Sequence, residues 1–264
     1  MIKIKNLDYK YEDGTKALEN ININTNKGNI IGIIGANGSG KSTLFLNIMG
    51  ILKPRKGFIE YNGKAIEYKK NKLIEYRKKV NIVFQDPDQQ LFYPNIYDDI
   101  AFSLRNLGVS EEKIKLRVTD ALNQVECLDL IDKPVHFLSY GQKKRVAIAG
   151  ALVMDSKVLL MDEPTSGLDP YMRKEIKNII LEISQRKNVV ISSHDMDLIY
   201  DICDYIYILN KGRITCQGKP EEVFLDSLIL EEASLSKPWL VRIHEKMNGP
   251  LFKNEDEFNK FNGE

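Results

Sequence analysis

The sequence predicts an α/β fold, a parallel sheet with helices on its faces that is entered through antiparallel strands and carries a helical insert. Three observations predict it. Between Val158 and Leu209 short apolar runs alternate with amphipathic stretches, the strand-then-helix rhythm of βαβ units. The apolar run Ile30-Ile31-Gly32-Ile33-Ile34 is followed by a glycine-rich loop and then by the helical stretch from Ser42 to Met49. Ile2 to Tyr9 and Ala17 to Ile23 alternate apolar and polar residues around the turn Glu12-Asp13-Gly14-Thr15, the pattern of paired antiparallel strands.

The remaining elements follow in order. Phe58 to Tyr61 is a strand running into an Asn62-Gly63 turn, and Val80 to Phe84 is another. Asp98 to Ala151 is mostly helical by periodicity, with Ile114, Val118, Leu122 and Val125 on one face. Then come a strand at Val158 to Met161, a helix at Met172 to Ser184, a strand at Val189 to Ser192, a helix at Met196 to Ile202 and a strand at Tyr205 to Leu209. The stretch from Asp226 to Glu264 reads as a weak amphipathic tail, broken by Pro238, by Asn248-Gly249-Pro250 and by the polar run from Asn254, with a disordered extreme end. The predicted organisation is one domain over residues 1–225, its helical subdomain at about 98–151, followed by a C-terminal extension at 226–264.

Bulk properties narrow the functional classes. The chain has 264 residues, 43% of them apolar, enough for a substantial core. A net charge of +1 gives no global field for nucleic acid or anionic lipid. No apolar run approaches a membrane span, and Met1-Ile2-Lys3-Ile4-Lys5 alternates like a strand rather than forming the apolar core of a signal peptide. Cys127, Cys203 and Cys216 are odd in number and scattered, which predicts reduced thiols in a cytoplasmic protein rather than a disulfide framework or a zinc site.

Two motifs carry chemistry. Gly35-Ala36-Asn37-Gly38-Ser39-Gly40-Lys41-Ser42 fits the phosphate-loop pattern G-x-x-x-x-G-K-[ST] between a strand and a helix. The glycines let backbone N–H groups turn inward around a polyphosphate, and the helix start, through Thr43, adds its partial positive charge. Lys41 is placed to reach the β- and γ-phosphates and the Ser42 hydroxyl to bind Mg²⁺. At Val158-Leu159-Leu160-Met161-Asp162-Glu163 a buried strand delivers two acids to its C-terminal end, where open α/β sheets bind ligands. Asp162 suits Mg²⁺, through water, and Glu163 suits polarising an attacking water. Either motif alone has an ordinary explanation, a glycine-rich turn or a strand ending in solvated acids; together they specify a nucleotide hydrolase.

With these motifs in place the chain resembles the ATP-binding-cassette ATPases over residues 1 to about 225. Leu138-Ser139-Tyr140-Gly141-Gln142 resembles the family signature L-S-G-G-Q, departing from it at Tyr140, and runs into the helical stretch Lys143 to Ala149. By itself Ser139 reads as a helix cap. The resemblance implies instead that Ser139, Gly141 and Gln142 close over the γ-phosphate bound by a second subunit. It also implies that Gln85 contacts metal and water, that Ser166-Gly167-Leu168-Asp169 reaches the opposite subunit, that His194 contacts the γ-phosphate and that Tyr11 stacks on adenine. His136 and His244 read as structural. The guanine-reading N-K-x-D pattern is absent; Asn26-Lys27-Gly28-Asn29 and Asn210-Lys211-Gly212-Arg213 read as turns.

The implied mechanism sandwiches two ATP·Mg²⁺ between head-to-tail subunits, either two copies of this chain or this chain and a sister ATPase. Dimer closure is coupled to ATP binding and reopening to hydrolysis. Finer similarity points to a branch. The segments Phe84 to Phe92, Ile96 to Phe102 and Leu138 to Gly150, and the tail around Glu231-Glu232-Ala233-Ser234-Leu235, look like those of energy-coupling-factor importer ATPases, the cobalt- and nickel-uptake members in particular. That branch implies a transmembrane scaffold protein, a substrate-binding membrane protein and a peripheral position on the cytoplasmic face of the membrane. Asp88, Asp98 and Asp99 are then candidate partners for scaffold arginines. Nucleic acid is not an expected partner: the Lys69 to Lys79 cluster is interrupted by Glu75, and neither a second cassette nor a long coiled coil is present. The alternatives are the ATPase of another importer or an exporter, or a soluble non-transport ATPase of the same family.

Overall fold

The structure, a computed structural model, describes residues 1–261. Residues 262–264, where the sequence predicts a disordered end, lie outside the described part. The chain divides into two compact units, one holding Met1–Tyr68 and the chain from Val190 onward, the other Lys69–Val189.

The first unit opens with β1 (Ile2–Lys10) and β2 (Lys16–Asn24), antiparallel as their alternation predicts. Ile2, Ile4 and Leu7 are buried, and the change of parity between Ile4 and Leu7 is a register shift around Asn6, whose φ is +47°. β3 (Ile30–Ile34), buried throughout, leads through the glycine-rich loop into α1 (Lys41–Ile48). β4 (Lys56–Tyr61) pairs antiparallel with β1, and the Asn62-Gly63 turn returns it to a two-residue β5 (Lys64–Ala65), so the strand order is β2-β1-β4-β5.

The second unit begins with an exposed helix α2 (Lys70–Arg77), followed by β6 (Val80–Val83). The helical insert is three helices, α3 (Ile96–Asn106), α4 (Glu111–Gln124) and α5 (Tyr140–Leu152). The face predicted for α4 is the buried one, Ile114, Val118, Leu122 and Val125 being fully enclosed. Between Gln124 and Tyr140 the chain is irregular with two short 3₁₀ turns: α4 stops before Glu126, whose φ is +53°, and Pro134 is unsuited to the interior of a resumed helix. β7 (Val158–Asp162) lies parallel to β6, and α6 (Pro170–Ser184) follows with proline at its first position and Asp169 as its cap.

β8 (Asn188–Ser193) leads the chain back into the first unit. There α7 (Met196–Ile202) is followed by β9 (Tyr205–Asn210), parallel to β3, and by β10 (Arg213–Gly218), which the sequence does not signal by periodicity. The Lys211-Gly212 turn joining the last two has φ +46° and +78°, a tight hairpin turn, as predicted for that tetrapeptide.

The tail is more ordered than its sequence suggests. It forms α8 (Pro220–Val223), α9 (Ser227–Glu232), α10 (Trp239–Met247) and α11 (Glu255–Phe261), the last within the polar run expected to break it up. Aromatic pairing supplies what periodicity lacks: Phe252 and Trp239 each meet Phe258 edge-to-face with centroids 5.5 Å apart. Leu240 and Val241 are buried, the Tyr200 hydroxyl donates to the Phe252 carbonyl at 3.0 Å, and Lys253 Nζ donates to the Cys203 carbonyl and pairs with Glu221. His244 Nδ1 lies 2.7 Å from the Gly249 carbonyl and His136 stacks on Phe137, consistent with structural roles for both. Among the described residues no helix is long and apolar enough to cross a membrane, and the cysteines are free thiols, Cys127 and Cys203 buried and Cys216 partly so.

Candidate active site

In the first unit the phosphate loop is shaped by close backbone approaches. A Cβ on Gly35 would lie 2.2 Å from the Leu209 carbonyl oxygen, and one on Gly40, whose φ is +109°, 2.8 Å from that of Ala17. Glycine is therefore dictated by the neighbouring strands as well as by the loop's own turn. The β9–β10 hairpin holds the loop directly, Gly212 N–H donating to the Ser39 carbonyl at 2.9 Å. Lys41 is nearly enclosed, and its Nζ donates to the carbonyls of Gly35 at 2.8 Å and Ala36 at 3.3 Å, which curl the loop around the ammonium.

The loop's free capacity fits a polyphosphate. Gly38 has φ +78° and open space where a Cβ would stand. The buried Ser39 hydroxyl has no hydrogen-bond partner in the protein, an orphan that a phosphate oxygen would satisfy. Helix α1 begins at Gly40 with no side-chain cap, leaving its first N–H groups to an anion. Ser42 is exposed at that helix start, whereas Thr43 is nearly buried and its hydroxyl lies 2.8 Å from the Tyr11 hydroxyl. Tyr11, about one-third exposed, packs edge-to-face on Tyr9, its ring centroid 5.1 Å away. His194 is exposed in the turn after β8, just before Asp195 caps α7.

In the second unit β7 delivers Asp162 and Glu163, both 5% exposed. Glu163 has φ +46°, left-handed for a non-glycine residue, the kind of strain that clusters at functional positions. Its carbonyl accepts from Ser166 N–H at 3.1 Å and from Lys144 Nζ at 3.0 Å. Lys144 is completely buried on α5; burial pushes its ammonium down to about 8, against the opposing pull of the Glu163 and Asp162 carboxylates. Sequence reasoning missed it because Lys143-Lys144-Arg145 reads as a solvated run, and only the helical phase with buried Ala147 and Ile148 hints otherwise.

Ser139 caps α5 in a reciprocal capping box: its Oγ accepts from Gln142 N–H at 3.3 Å while Gln142 Oε1 accepts from Ser139 N–H at 2.9 Å. The helix-cap role and an anion role are compatible, since a hydroxyl that accepts can still donate. Gly141 lies against Met172, where a Cβ would come within 3.0 Å of Cε. Tyr140 leaves both residues in place; its hydroxyl reaches the Gln85 carbonyl at 3.5 Å, the edge of hydrogen-bond range. Gln85, exposed, follows β6 at the start of a loop tied to α5: Gln90 accepts from Phe84 N–H at 3.1 Å and donates to the Ala147 carbonyl at 2.7 Å, and Asp88 pairs with Lys143 at 2.7 Å. Gln90 is a second residue the sequence did not single out. Asp169 is exposed and caps α6, accepting from Met172 N–H at 2.9 Å.

The acidic trio behind Gln85 is engaged within the protein. Asp99 is buried and accepts from the N–H groups of Phe92 and Tyr93, both at 2.8 Å, so it shapes the loop instead of facing a partner. Asp98 pairs with Arg105 at 2.6 Å, which with Asn95 holds its carboxyl below the usual carboxylate range. The oxygen donors assigned to a metal, the Ser42 hydroxyl, the Gln85 amide and the Asp162 carboxylate, are of the hard type Mg²⁺ prefers. Among the described residues no cluster of three or more His, Cys, Asp or Glu is placed to hold a metal ion.

Comparison with known proteins identifies the family. The family model described as ABC transporter matches residues 18–166. The cobalt import ATP-binding protein CbiO of Salmonella typhimurium (strain LT2) is 48% identical over 259 residues, covering 98% of this chain and 95% of its own. The energy-coupling factor transporter ATP-binding protein EcfA of Methanosphaera stadtmanae is 44% identical over 249 residues, covering 94% and 90%. Among solved structures, CbiO1 of Clostridium perfringens, described as part of the ABC transporter complex CbiONQ, superposes with a TM-score of 0.80 at 43% identity, covering 94% of this chain and 98% of that one.

Proposed function

Because the chain belongs to the ABC transporter family of ATPases, we propose that it is the ATP-hydrolysing subunit of an energy-coupling-factor importer for a micronutrient, cobalt or nickel ion first among candidates. The observation that carries this reading is similarity to CbiO that runs through 98% of the chain, the tail included, and so reaches well beyond the residues common to the whole family. In this reading residues 1–225 are the catalytic cassette, with a helical subdomain at about 98–151, and residues 226–264 an added extension.

Site roles follow residue by residue. The N–H groups from Gly35 to Thr43 and the Lys41 ammonium bind the phosphates, with the orphan Ser39 hydroxyl contributing, and Tyr11 stacks on the base. Ser42, Gln85 and Asp162 hold Mg²⁺, which supplies charge neutralisation on the phosphate oxygens when bound. Glu163 accepts a proton from the attacking water and His194 contacts the γ-phosphate. Ser139, Gly141, Gln142 and Asp169 serve the nucleotide of a second subunit, a copy of this chain or a sister ATPase. Phosphoryl transfer needs positioning and charge stabilisation above all, so an isolated subunit should hydrolyse ATP slowly. The membrane partners are a transmembrane scaffold and a substrate-binding protein, with this subunit peripheral on the cytoplasmic face.

Affinity capture of a Glu163→Gln variant from native membranes in ATP·Mg²⁺ tests the reading, because slowed hydrolysis should hold the closed dimer. Co-purification of a small scaffold membrane protein and a substrate-binding membrane protein is expected, the second naming the substrate class. Recovery of ribosomes, of DNA-repair proteins or of no membrane protein would overturn the transport reading and leave the ATPase standing.

A further inference from the structure

Glu163 is held in an uncommon backbone conformation, and a residue stays there only where its surroundings fix it. Two hydrogen bonds to its carbonyl oxygen do so, from Ser166 N–H at 3.1 Å and from Lys144 Nζ at 3.0 Å. The first closes the local turn. The second comes from a different element, α5, on a side chain with no exposed surface. Burying an ammonium is expensive, and a lysine four-fifths aliphatic could have packed its stem and kept its charge in water. Here the whole group is committed to one peptide carbonyl. The Glu163, Asp162 and Asp86 carboxylates act on it through space, and the Tyr140 ring centroid is 5.9 Å from Nζ, at the outer limit of a cation–π contact. That same ring lies against Gly167, where a Cβ would stand 3.0 Å from Tyr140 Cε1. All of these groups belong to one compact unit, Lys69–Val189.

We propose that Lys144 is a positioning residue for hydrolysis: its ammonium pins the strained Glu163 peptide from behind and so fixes the direction in which the Glu163 carboxylate leaves the end of β7, with Tyr140 covering the ammonium. The inference rests on the reading of Glu163 as the water-polarising group. Lys144 is fully buried and donates to the Glu163 carbonyl, so it acts through Glu163. A carboxylate aimed wrongly by a fraction of its length loses catalysis without loosening the phosphates, which are bound elsewhere in the sequence, by Gly35 to Thr43.

The test compares three variants of the purified protein, at protein concentrations where turnover per subunit no longer rises. Glu163→Gln comes first: full ATP hydrolysis there would overturn the role of Glu163 itself. With that role standing, Lys144→Met, which keeps volume but removes the donor, is expected to lower kcat about 100-fold. The Kd for a fluorescent ATP analogue and the KM for ATP should be unchanged. Lys144→Gln, whose carboxamide can donate to the same carbonyl, is expected to recover kcat to within about tenfold of the parent. If Lys144→Met does not fold, Lys144→Leu takes its place in the comparison. Wild-type kcat in the donor-less variant overturns the proposal. So does an equal loss of kcat in the Gln variant, or a weakening of nucleotide binding by the same factor as the fall in kcat, since either would mark Lys144 as packing alone.

Discussion

Lys41 and Lys144 are both lysines drawn into the protein, and they differ in what they are held by. Lys41 rests on two loop carbonyls that a phosphate can replace as partners of its ammonium. Lys41→Ala is therefore expected to lower ATP turnover by at least about 100-fold, with nucleotide affinity falling as well, measured by phosphate release and by binding of a fluorescent analogue. Lys144 has a fixed partner and a dry surrounding. Its folded-state value of about 8 lies below the ordinary 10.5 of lysine, so between those values the unfolded chain binds the proton that the folded chain has released. Stability should rise with pH across that window through this group, the cost of its buried charge being complete below about pH 8. Denaturant midpoints at pH 8 and pH 10 for the parent and Lys144→Met check it: the pH-dependent gain should shrink in the variant.

At the scale of elements, loops are tied to helices by single side chains. Asp99 accepts two N–H bonds from the loop before α3 while sitting on the helix itself, with burial raising its carboxyl and those bonds opposing the rise. Asp99→Ala should cost about 2 kcal/mol by leaving buried donors unmet, whereas Asp99→Asn keeps an acceptor and should cost less, as read by chemical denaturation. The phosphate loop is constrained from outside in the same way. Gly35→Ala would set a methyl group against the Leu209 carbonyl at 2.2 Å, so the loop or β9 must move. The expected outcome is loss of nucleotide binding in a protein that still folds, measured by analogue binding and circular dichroism.

At the scale of the whole chain, the residues after Asp226 are part of the first unit's fabric. Trp239 N–H donates to Asp197 at 2.7 Å, Lys253 clasps Cys203 and Glu221, and Leu240 and Val241 are buried. Ending the chain at Ser236 should destabilise it by about 3–6 kcal/mol from the apolar burial alone, seen as a lower melting temperature. Reactivity at the thiols should follow. Burial holds the Cys127 thiol up at about 11 and raises that of Cys203 further, so at pH 8 alkylation of the intact protein should reach Cys216 before either.

What the sequence determined by itself is what local rules govern. The phosphate loop is a contiguous string of residues with fixed turn requirements, and the strand before it and the helix after it are set by runs of apolar residues; β3 and α7 fall where periodicity puts them. The face of α4 is legible for the same reason. The tertiary structure decided everything that depends on residues far apart in the chain. It buried Lys144, which looks like surface between two other cations, because α5 passes behind the end of β7. It turned Asp99 from an apparent docking residue into a loop clasp, and it made a helix of the polar run after Asn254, ordered by aromatic packing with Trp239 and Phe252 and by the Asn254 side chain, which accepts from Glu257 N–H. Local propensity reaches a few residues along the chain; burial and partner choice are set by which segments meet, and that is read only from the fold.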